Sequence, residues 1–171
     1  QYSASEKGVE GVSSNVQILP IQVIGKKPSE PIKPLSTSIS AVEDDNQLPK
    51  KTLGDLIARA LLYAMRSKVQ VINFSLGWPG TRDSELLKNL ISEAVKQGII
   101  VVAAAGNDST RALLRPCAYE GVICVGSHGP DGALSHFSNY GSGVDVAAPG
   151  LNILSTFPMD QRPIRFRDTW G

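Results

Sequence analysis

The residues with the clearest potential for chemistry lie at the end of a predicted strand, at 99–107. This run begins with bulky aliphatic residues and then passes through three alanines to Gly106 and Asn107. A strand that serves only packing keeps bulky side chains to its end, because each buried methylene contributes about 0.8 kcal/mol. The small residues leave room for a ligand beside the backbone, and Asn107 adds an uncharged amide donor. The pattern predicts an oxyanion-binding site; a tight contact between a helix and the sheet would also favour small residues.

A second group of small residues, Ser75-Leu76-Gly77, lies at the end of a strand predicted at 69–75. In an open α/β sheet, ligands bind beyond the carboxyl ends of the strands. We therefore expect a groove between this group and Ala105-Gly106-Asn107. The free backbone groups of 75–77 would suit an extended peptide. An ordinary turn is the alternative interpretation of residues 77–80.

Alternating helices and strands position both groups. Thr52 and Asp55 resemble a capping box at the start of one helix; Asp83 or Ser84 caps a second, which ends at Gly98. Their apolar faces comprise Leu53, Leu56, Ile57, Ala60, Leu61 and Ala64, and then Leu86, Leu87, Leu90, Ile91, Ala94 and Val95. Further strands are predicted at 16–24, 122–127 and 144–147. This alternation predicts an α/β fold with a parallel sheet covered by helices on both faces.

Composition excludes several function classes. The 171 residues are 42% hydrophobic and 19% charged, as expected of one globular domain or most of one. A net charge of +1 gives no reason to invoke nucleic acid or a membrane surface. No apolar run approaches the roughly 20 residues of a membrane span. The two cysteines are too few for a disulfide framework or a four-cysteine zinc site.

Cys117 and Cys124 leave two alternatives open. Cys124 alternates with Ile123 and Val125 on a short strand, so a free buried thiol is the expected state. A disulfide across the intervening turn is the alternative, and it requires Cα atoms within about 7 Å of each other.

Residues 26–51 form a stretch rich in Pro, Ser and charged residues, without a helical or strand period. It is long for a connection within a compact domain, so we expect an inserted surface loop. One hypothesis makes this loop functional, because its acidic run Glu43-Asp44-Asp45 would favour basic residues in a substrate or partner. The alternative is a loop directed into solvent.

Four blocks in order resemble the subtilisin-like serine proteases, the subtilases. The blocks are residues 71–77 (VINFSLG), 101–107 (VVAAAGN), 122–127 (VICVGS) and 137–150 (FSNYGSGVDVAAPG). The resemblance extends over most of the chain and implies a three-layer α/β subtilisin-like fold. It makes residues 1–171 a partial peptidase domain that is incomplete in this chain, with the insertion at about 26–51.

The resemblance also implies residue roles. Asn107 matches the asparagine that donates to the oxyanion. Ser75, Leu76 and Gly77 match the strand that pairs with the substrate main chain. Ala104, Ala105 and Gly106 match the wall of the pocket for the residue before the scissile bond. Arg115-Pro116 matches a position at which the family often has a cis proline.

The absence of the catalytic triad is the main departure from the family. Its aspartate, histidine and serine motifs are all missing, and the chain ends at Gly171, where the family's Gly-Thr-Ser segment is due. His128 and His136 match no catalytic position, and we expect them to be structural or solvated. The resemblance therefore predicts a chain that carries the groove and the oxyanion donor but is inactive alone.

Two functions follow. The first is a serine endopeptidase whose triad lies on complementary segments of the same domain; the second is a catalytically dead module that binds peptides. Asn107 favours the first, because a groove that only binds needs no oxyanion donor. A nucleotide-binding domain is disfavoured, because no Gly-rich phosphate loop follows the first predicted strand. The family resemblance also implies a secreted or extracytoplasmic location and calcium binding, although no complete calcium-ligand loop is visible.

Overall fold

Four parallel strands form the sheet of the computed structural model, which describes residues 11–24, 52–153 and 155. The elements are α1 (Leu53–Arg66), β1 (Val71–Phe74), a 3-10 turn (Gly80–Arg82), α2 (Glu85–Lys96), β2 (Ile100–Ala104), β3 (Val122–His128) and β4 (Val146–Pro149). Each strand pairs with the next in chain order. All four carboxyl ends therefore meet at one edge, as the predicted α/β fold requires. The insertion at 26–51 lies outside the described residues.

Helix α1 begins with the predicted capping box. Thr52 Oγ1 accepts from the Asp55 amide at 3.2 Å, and Asp55 Oδ2 accepts from the Thr52 amide at 2.9 Å. The bonds from the Thr52 backbone and side chain lower the pKa of the Asp55 carboxyl. The helix buries Ile57, Ala58, Leu61 and Ala64, whereas Leu53, assigned to the apolar face, is exposed.

Helix α2 has Ser84 at its N-cap, one of the two predicted residues. The Ser84 side chain makes no capping bond; instead, Asp83 Oδ1 accepts from the Ser84 amide at 2.8 Å. The helix buries Leu87, Ile91 and Ala94. It is followed by Gly98 in the left-handed conformation, with φ of +82°, as a C-terminal glycine predicts.

The two helices cover one face of the sheet. They pack against each other, and α2 packs against β2. Their buried residues share one core with side chains of the sheet, including Phe74, Val101, Ala103, Val122 and Cys124. The described residues thus supply one helical layer of the incomplete three-layer fold.

The opposite sheet face is apolar and exposed, and we call it the open face. Strand alternation and register place Val71, Ile100, Ile123 and Val146 on it, with exposed fractions of 53%, 50%, 39% and 51%. No described element packs over these side chains. The predicted second layer of helices is therefore absent from the described residues.

The strand predicted at 16–24 is wrong, because the described residues 11–24 contain no strand. A strand needs a partner for its backbone N–H and C=O groups, and β1 to β4 pair only among themselves. The segment is largely exposed, with Ile18 at 83% and only Val23 packed against the core. The segment has the apolar pattern of a strand, but it pairs with no strand among the described residues.

Cys117 and Cys124 form a disulfide, so the expected free thiol at Cys124 is wrong. The turn between them brings the Cα atoms to 4.8 Å, well within bridging range. The strand alternation correctly predicted that Cys124 is buried. It gave no information about how close the turn brings Cys117 to Cys124. Cys117 follows Pro116, whose peptide bond with Arg115 is cis, as the resemblance implied.

The disulfide predicts that the air-oxidised chain has no titratable thiol. Reaction with a thiol reagent in denaturant should detect none without reductant and two after reduction. Two thiols in the unreduced sample would show that the bridge does not form.

The open face predicts that the isolated chain associates, because contiguous exposed apolar surface drives association. Sedimentation should show oligomers or aggregates. Replacing Ile100 and Ile123 by lysine should shift the distribution towards monomer, whereas the same change at exposed Gln97 and Ser67 should not. A monomeric wild-type chain with one cooperative thermal transition would contradict this prediction.

Candidate functional site

A cleft of about 370 Å³ opens at the carboxyl edge of the sheet. Its lining includes Ser75 from the end of β1 and the run Ala104-Ala105-Gly106-Asn107 from the end of β2. The structure thus brings together five of the seven candidate site residues. Leu76 and Gly77 do not line this cleft.

The segment at residues 114–115, which we call the 114–115 strip, explains why Leu76 and Gly77 do not line the cleft. Strands β1 and β2 pair as far as Phe74 and Ala103. Beyond that point the Leu114 amide donates to the Ala105 carbonyl at 3.4 Å, while Arg115 and Trp78 exchange backbone hydrogen bonds of 2.8 and 2.9 Å. The 114–115 strip therefore lies between the two diverging strand ends.

Asn107 stands exposed at the mouth of the cleft, directly after a turn at Gly106. Gly106 has φ of +116°, and a Cβ there would lie 2.3 Å from Asn139 Nδ2. Both the conformation and the close approach require glycine. Gly106 thus ends the strand abruptly, and the exposed Asn107 directly after it lines the cleft.

The buried side chain of Asn139 holds this loop, and sequence reasoning assigned it no role. Its Oδ1 accepts from the amides of Asp108 at 2.9 Å and Thr110 at 3.3 Å. Its Nδ2 donates to the carbonyls of Ala105 and Ala112, both at 3.1 Å. One amide thereby uses both donor hydrogens and both acceptor sites. The available signal was the position of Asn139 in the block at 137–150, an uncharged amide between Ser138 and Tyr140.

Neighbouring serines fix the backbone of Asn139 rather than perform chemistry. Ser138 Oγ accepts from the Ser127 amide and donates to the Asn139 carbonyl, both at 3.0 Å.

His128 Nδ1 lies 2.7 Å from the Gly129 carbonyl, and the exposed His136 packs edge-on against Phe137. In the described part of the chain, neither histidine hydrogen-bonds to a serine hydroxyl. Both are structural or solvated, as expected.

A second polar network anchors the far side of the 114–115 strip. Asp83 accepts from Tyr119 Oη and from Trp78 Nε1 at 3.4 Å, and its carboxylate lies 3.4 Å from Arg115 Nε. Partial burial opposes ionisation of Asp83, but these partners and the Ser84 amide outweigh it and lower its pKa. Burial first, and then the Asp83 carboxylate, raise the pKa of Tyr119. The network fixes the turn after β1 to the loop after β2.

The described residues contain no cluster of metal-binding side chains. Within 11–24, 52–153 and 155, no three His, Cys, Asp or Glu side chains are grouped to hold a metal ion. Calcium can also bind to backbone carbonyl oxygens, so the calcium binding implied by the resemblance stays a prediction, and we assign calcium no step. No helix in the same ranges is long and apolar enough to cross a membrane.

Comparison with known proteins identifies the family. The Peptidase_S8 model, described as the subtilase family, matches residues 2–169. The chain therefore belongs to the subtilase family.

The similar proteins agree with this assignment. The thermophilic serine proteinase of Bacillus sp. (strain AK1) is 43% identical over 121 residues, which are 71% of this chain and 29% of that protein. The major intracellular serine protease of Bacillus subtilis (strain 168) is 45% identical over 107 residues, covering 60% of this chain and 33% of the relative. The chain thus spans about a third of the length of these relatives.

A solved structure with the same fold contains a peptide. The PatG macrocyclase in complex with peptide superposes with a TM-score of 0.55 at 28% identity, covering 60% of this chain and 32% of that one. The comparison supports the subtilisin-like α/β fold.

Asn139 and Asn107 should differ in how much their replacement lowers the free energy of unfolding. Asn139→Ala removes a fully buried side chain, leaves three part-buried backbone groups without this partner and takes one of two hydrogen bonds from the Ala105 carbonyl, so it should lower the free energy of unfolding by roughly 2–4 kcal/mol. Asn107→Ala alters an exposed side chain and should change it by less than about 0.5 kcal/mol. Denaturant unfolding of the full-length gene product measures both. Equal effects of the two variants would show that Asn139 does not hold the loop.

Proposed function

We propose that this chain is the substrate-binding section of a serine endopeptidase, with the triad residues on segments of the same protease outside this chain. One observation carries the proposal: the exposed Asn107 lines a cleft together with Ser75 and Ala104-Ala105-Gly106. A groove of small residues with one amide donor suits a reaction in which negative charge develops on a carbonyl oxygen.

The proposed reaction is acyl transfer through serine. A peptide lies extended along residues 75–77 and exchanges main-chain hydrogen bonds with them. The serine oxygen attacks the scissile carbonyl carbon as the histidine base takes its proton, and the carbonyl oxygen becomes an oxyanion. Asn107 Nδ2 donates to that oxyanion. The C–N bond then breaks, the histidine returns the proton to the amine, and water hydrolyses the acyl-enzyme by the same two steps.

The relatives support a peptide as substrate. Two of them are named serine proteases, and the PatG structure is described as a complex with peptide. Each similarity covers only part of the relative, so the activity of the whole protein belongs to this proposal.

The open face supports complementary segments of the same domain as the partner of this chain. Four exposed aliphatic side chains on a parallel sheet match the faces that helices cover in α/β folds. The net charge of +1 supports neither nucleic acid nor a membrane as partner.

An extracytoplasmic location is part of the same proposal. The Cys117–Cys124 disulfide favours an oxidising compartment, although the Bacillus subtilis relative is named an intracellular protease.

The second candidate function is a module that binds peptides without cleaving them. It needs the cleft but not the amide of Asn107, so the two candidates differ in what this side chain does. The glycine turn that exposes Asn107 favours the catalytic candidate.

Replacing Asn107 by alanine in the full-length gene product should lower kcat by about 10²–10³ and leave KM nearly unchanged, because the donor acts on the transition state. That magnitude is taken from measurements on subtilisin, a member of this family. Steady-state kinetics on a peptide substrate measure it. The matched control is Asn89→Ala on the exposed side of α2, which should keep wild-type kinetics.

The non-catalytic module gives a different pattern. It would bind peptides, show no cleavage and resist covalent labelling by a serine-directed inhibitor in the full-length protein. The purified 171-residue chain serves as a further control and should not hydrolyse peptides. Hydrolysis by this chain that a serine-directed inhibitor blocks would contradict the assignment of the triad to other segments.

A further inference from the structure

Hydrogen bonds from one segment, residues 137–140, fix the chain on both sides of Asn107. Before it in the sequence, the backbone amide of Asn139 donates to the Gly106 carbonyl at 2.9 Å. After it, Asn139 Oδ1 accepts from the Asp108 amide, also at 2.9 Å. Asn107 therefore lies between one residue that Asn139 holds through its backbone and one that it holds through its side chain.

The same segment contacts the loop further along the chain. The Ser109 amide donates to the Phe137 carbonyl at 2.9 Å, and the Tyr140 amide donates to the Thr110 carbonyl at 3.0 Å. The Arg111 guanidinium lies over the Tyr140 ring, 5.7 Å from its centroid. Contacts between backbone groups survive a substitution, so the loop keeps part of its support when one side chain is removed.

The Asn139 side chain is buried and separate from the cleft. Asn139 has no exposed surface, and the lining of the cleft includes Gly106 and Asn107 but not Asn139. Both donor hydrogens and both acceptor sites of its amide are used by backbone groups of the loop. Any effect of this side chain on a bound peptide must therefore pass through the residues that it holds.

Strand β3 fixes Asn139 in turn. Ser138 Oγ joins the Ser127 amide of β3 to the Asn139 carbonyl, with both hydrogen bonds at 3.0 Å. Strand β3 pairs with β2 on one side and with β4 on the other. A residue held by a paired strand is a rigid support for an irregular loop.

We infer that Asn139 is a positioning residue for the reaction: through the loop that it holds, its side-chain amide sets where Asn107 stands relative to the scissile carbonyl oxygen. The inference rests on the proposed function, in which Asn107 donates to the oxyanion. Such a donor is effective when it is held about 3 Å from the developing charge before the reaction begins. Misplacement of a group by about 1 Å can lower the rate roughly 10²-fold. Asn139 therefore contributes to kcat without touching the substrate.

The test is a double-mutant cycle in kcat on the full-length gene product, with wild type, Asn107→Ala, Asn139→Ala and the double variant. One peptide substrate is used, and kcat is expressed per folded molecule from the near-ultraviolet circular dichroism of each preparation. In the wild-type background, Asn139→Ala should lower kcat by about 10–100-fold and leave KM nearly unchanged. In the Asn107→Ala background it should lower kcat by less than about threefold, because the donor that it positions is already absent.

Leu61→Ala is the matched control for lost stability. Leu61 lies in α1 and is 2% exposed, and truncation of a large buried aliphatic side chain destabilises a fold to a degree comparable with that expected of Asn139→Ala. Per folded molecule, the control should keep wild-type kcat and KM. Asn139→Ser is the second variant and takes the place of Asn139→Ala in the cycle if the alanine variant does not fold. Its hydroxyl can still accept from one loop amide, so its loss of kcat should be smaller but should depend on Asn107 in the same way.

Three results would overturn the inference while the proposed function stands. Wild-type kcat in the Asn139 variants contradicts any positioning role. An equal fold-loss of kcat in both backgrounds shows that Asn139 acts by a route other than Asn107. A raised KM at unchanged kcat assigns Asn139 to substrate binding instead.

Failure of the proposed function gives a different pattern. In that case Asn107→Ala keeps wild-type kcat, or the full-length protein cleaves no peptide and is not labelled by a serine-directed inhibitor. Either result overturns the proposed function and this inference with it.

Discussion

The carboxyl edge of the sheet depends on the buried amide of Asn139. Its four hydrogen bonds join a residue that precedes β4 to the loop that follows β2. The loop itself is irregular, and its amides and carbonyls would be costly to bury without partners. A single side chain satisfies four of them at once. The position of Asn107, and with it the proposed chemistry, follows from this constraint on the backbone.

Two glycines and one leucine determine the packing at this edge of the sheet. Gly106 has a conformation that disfavours any side chain, and Gly77 lies too close to the 114–115 strip for a Cβ. The space that the two glycines release is taken up again by Leu114. A side chain from the next loop therefore occupies the space between the two strand-end glycines.

Local sequence signals predicted the parts of the fold that local interactions determine. The capping box at Thr52 and Asp55, the glycine after α2 and the small-residue end of β2 each depend on neighbours a few residues away, and each is present. The errors concern partners that the local apolar pattern does not identify. A strand at 16–24 needs a paired strand, and the bond between Cys117 and Cys124 depends on the path of the turn. Asn139 and Leu114 act across the fold, so composition and spacing gave no indication of their contacts.

The order of the strands has a consequence for how the chain folds. Each strand pairs with its successor, so the sheet grows at one edge and every new strand meets a partner that has already formed. A pair of strands close in sequence loses less loop-closure entropy than a distant pair and so forms earlier, although parallel pairing is slow in itself. On this route β1 and β2 associate first with α2 between them, and the Asn139 amide docks only after β3 has been added. The loop after β2 that carries Asn107 would then be among the last parts of the edge to become ordered, and its final geometry would be set only when most of the sheet is in place.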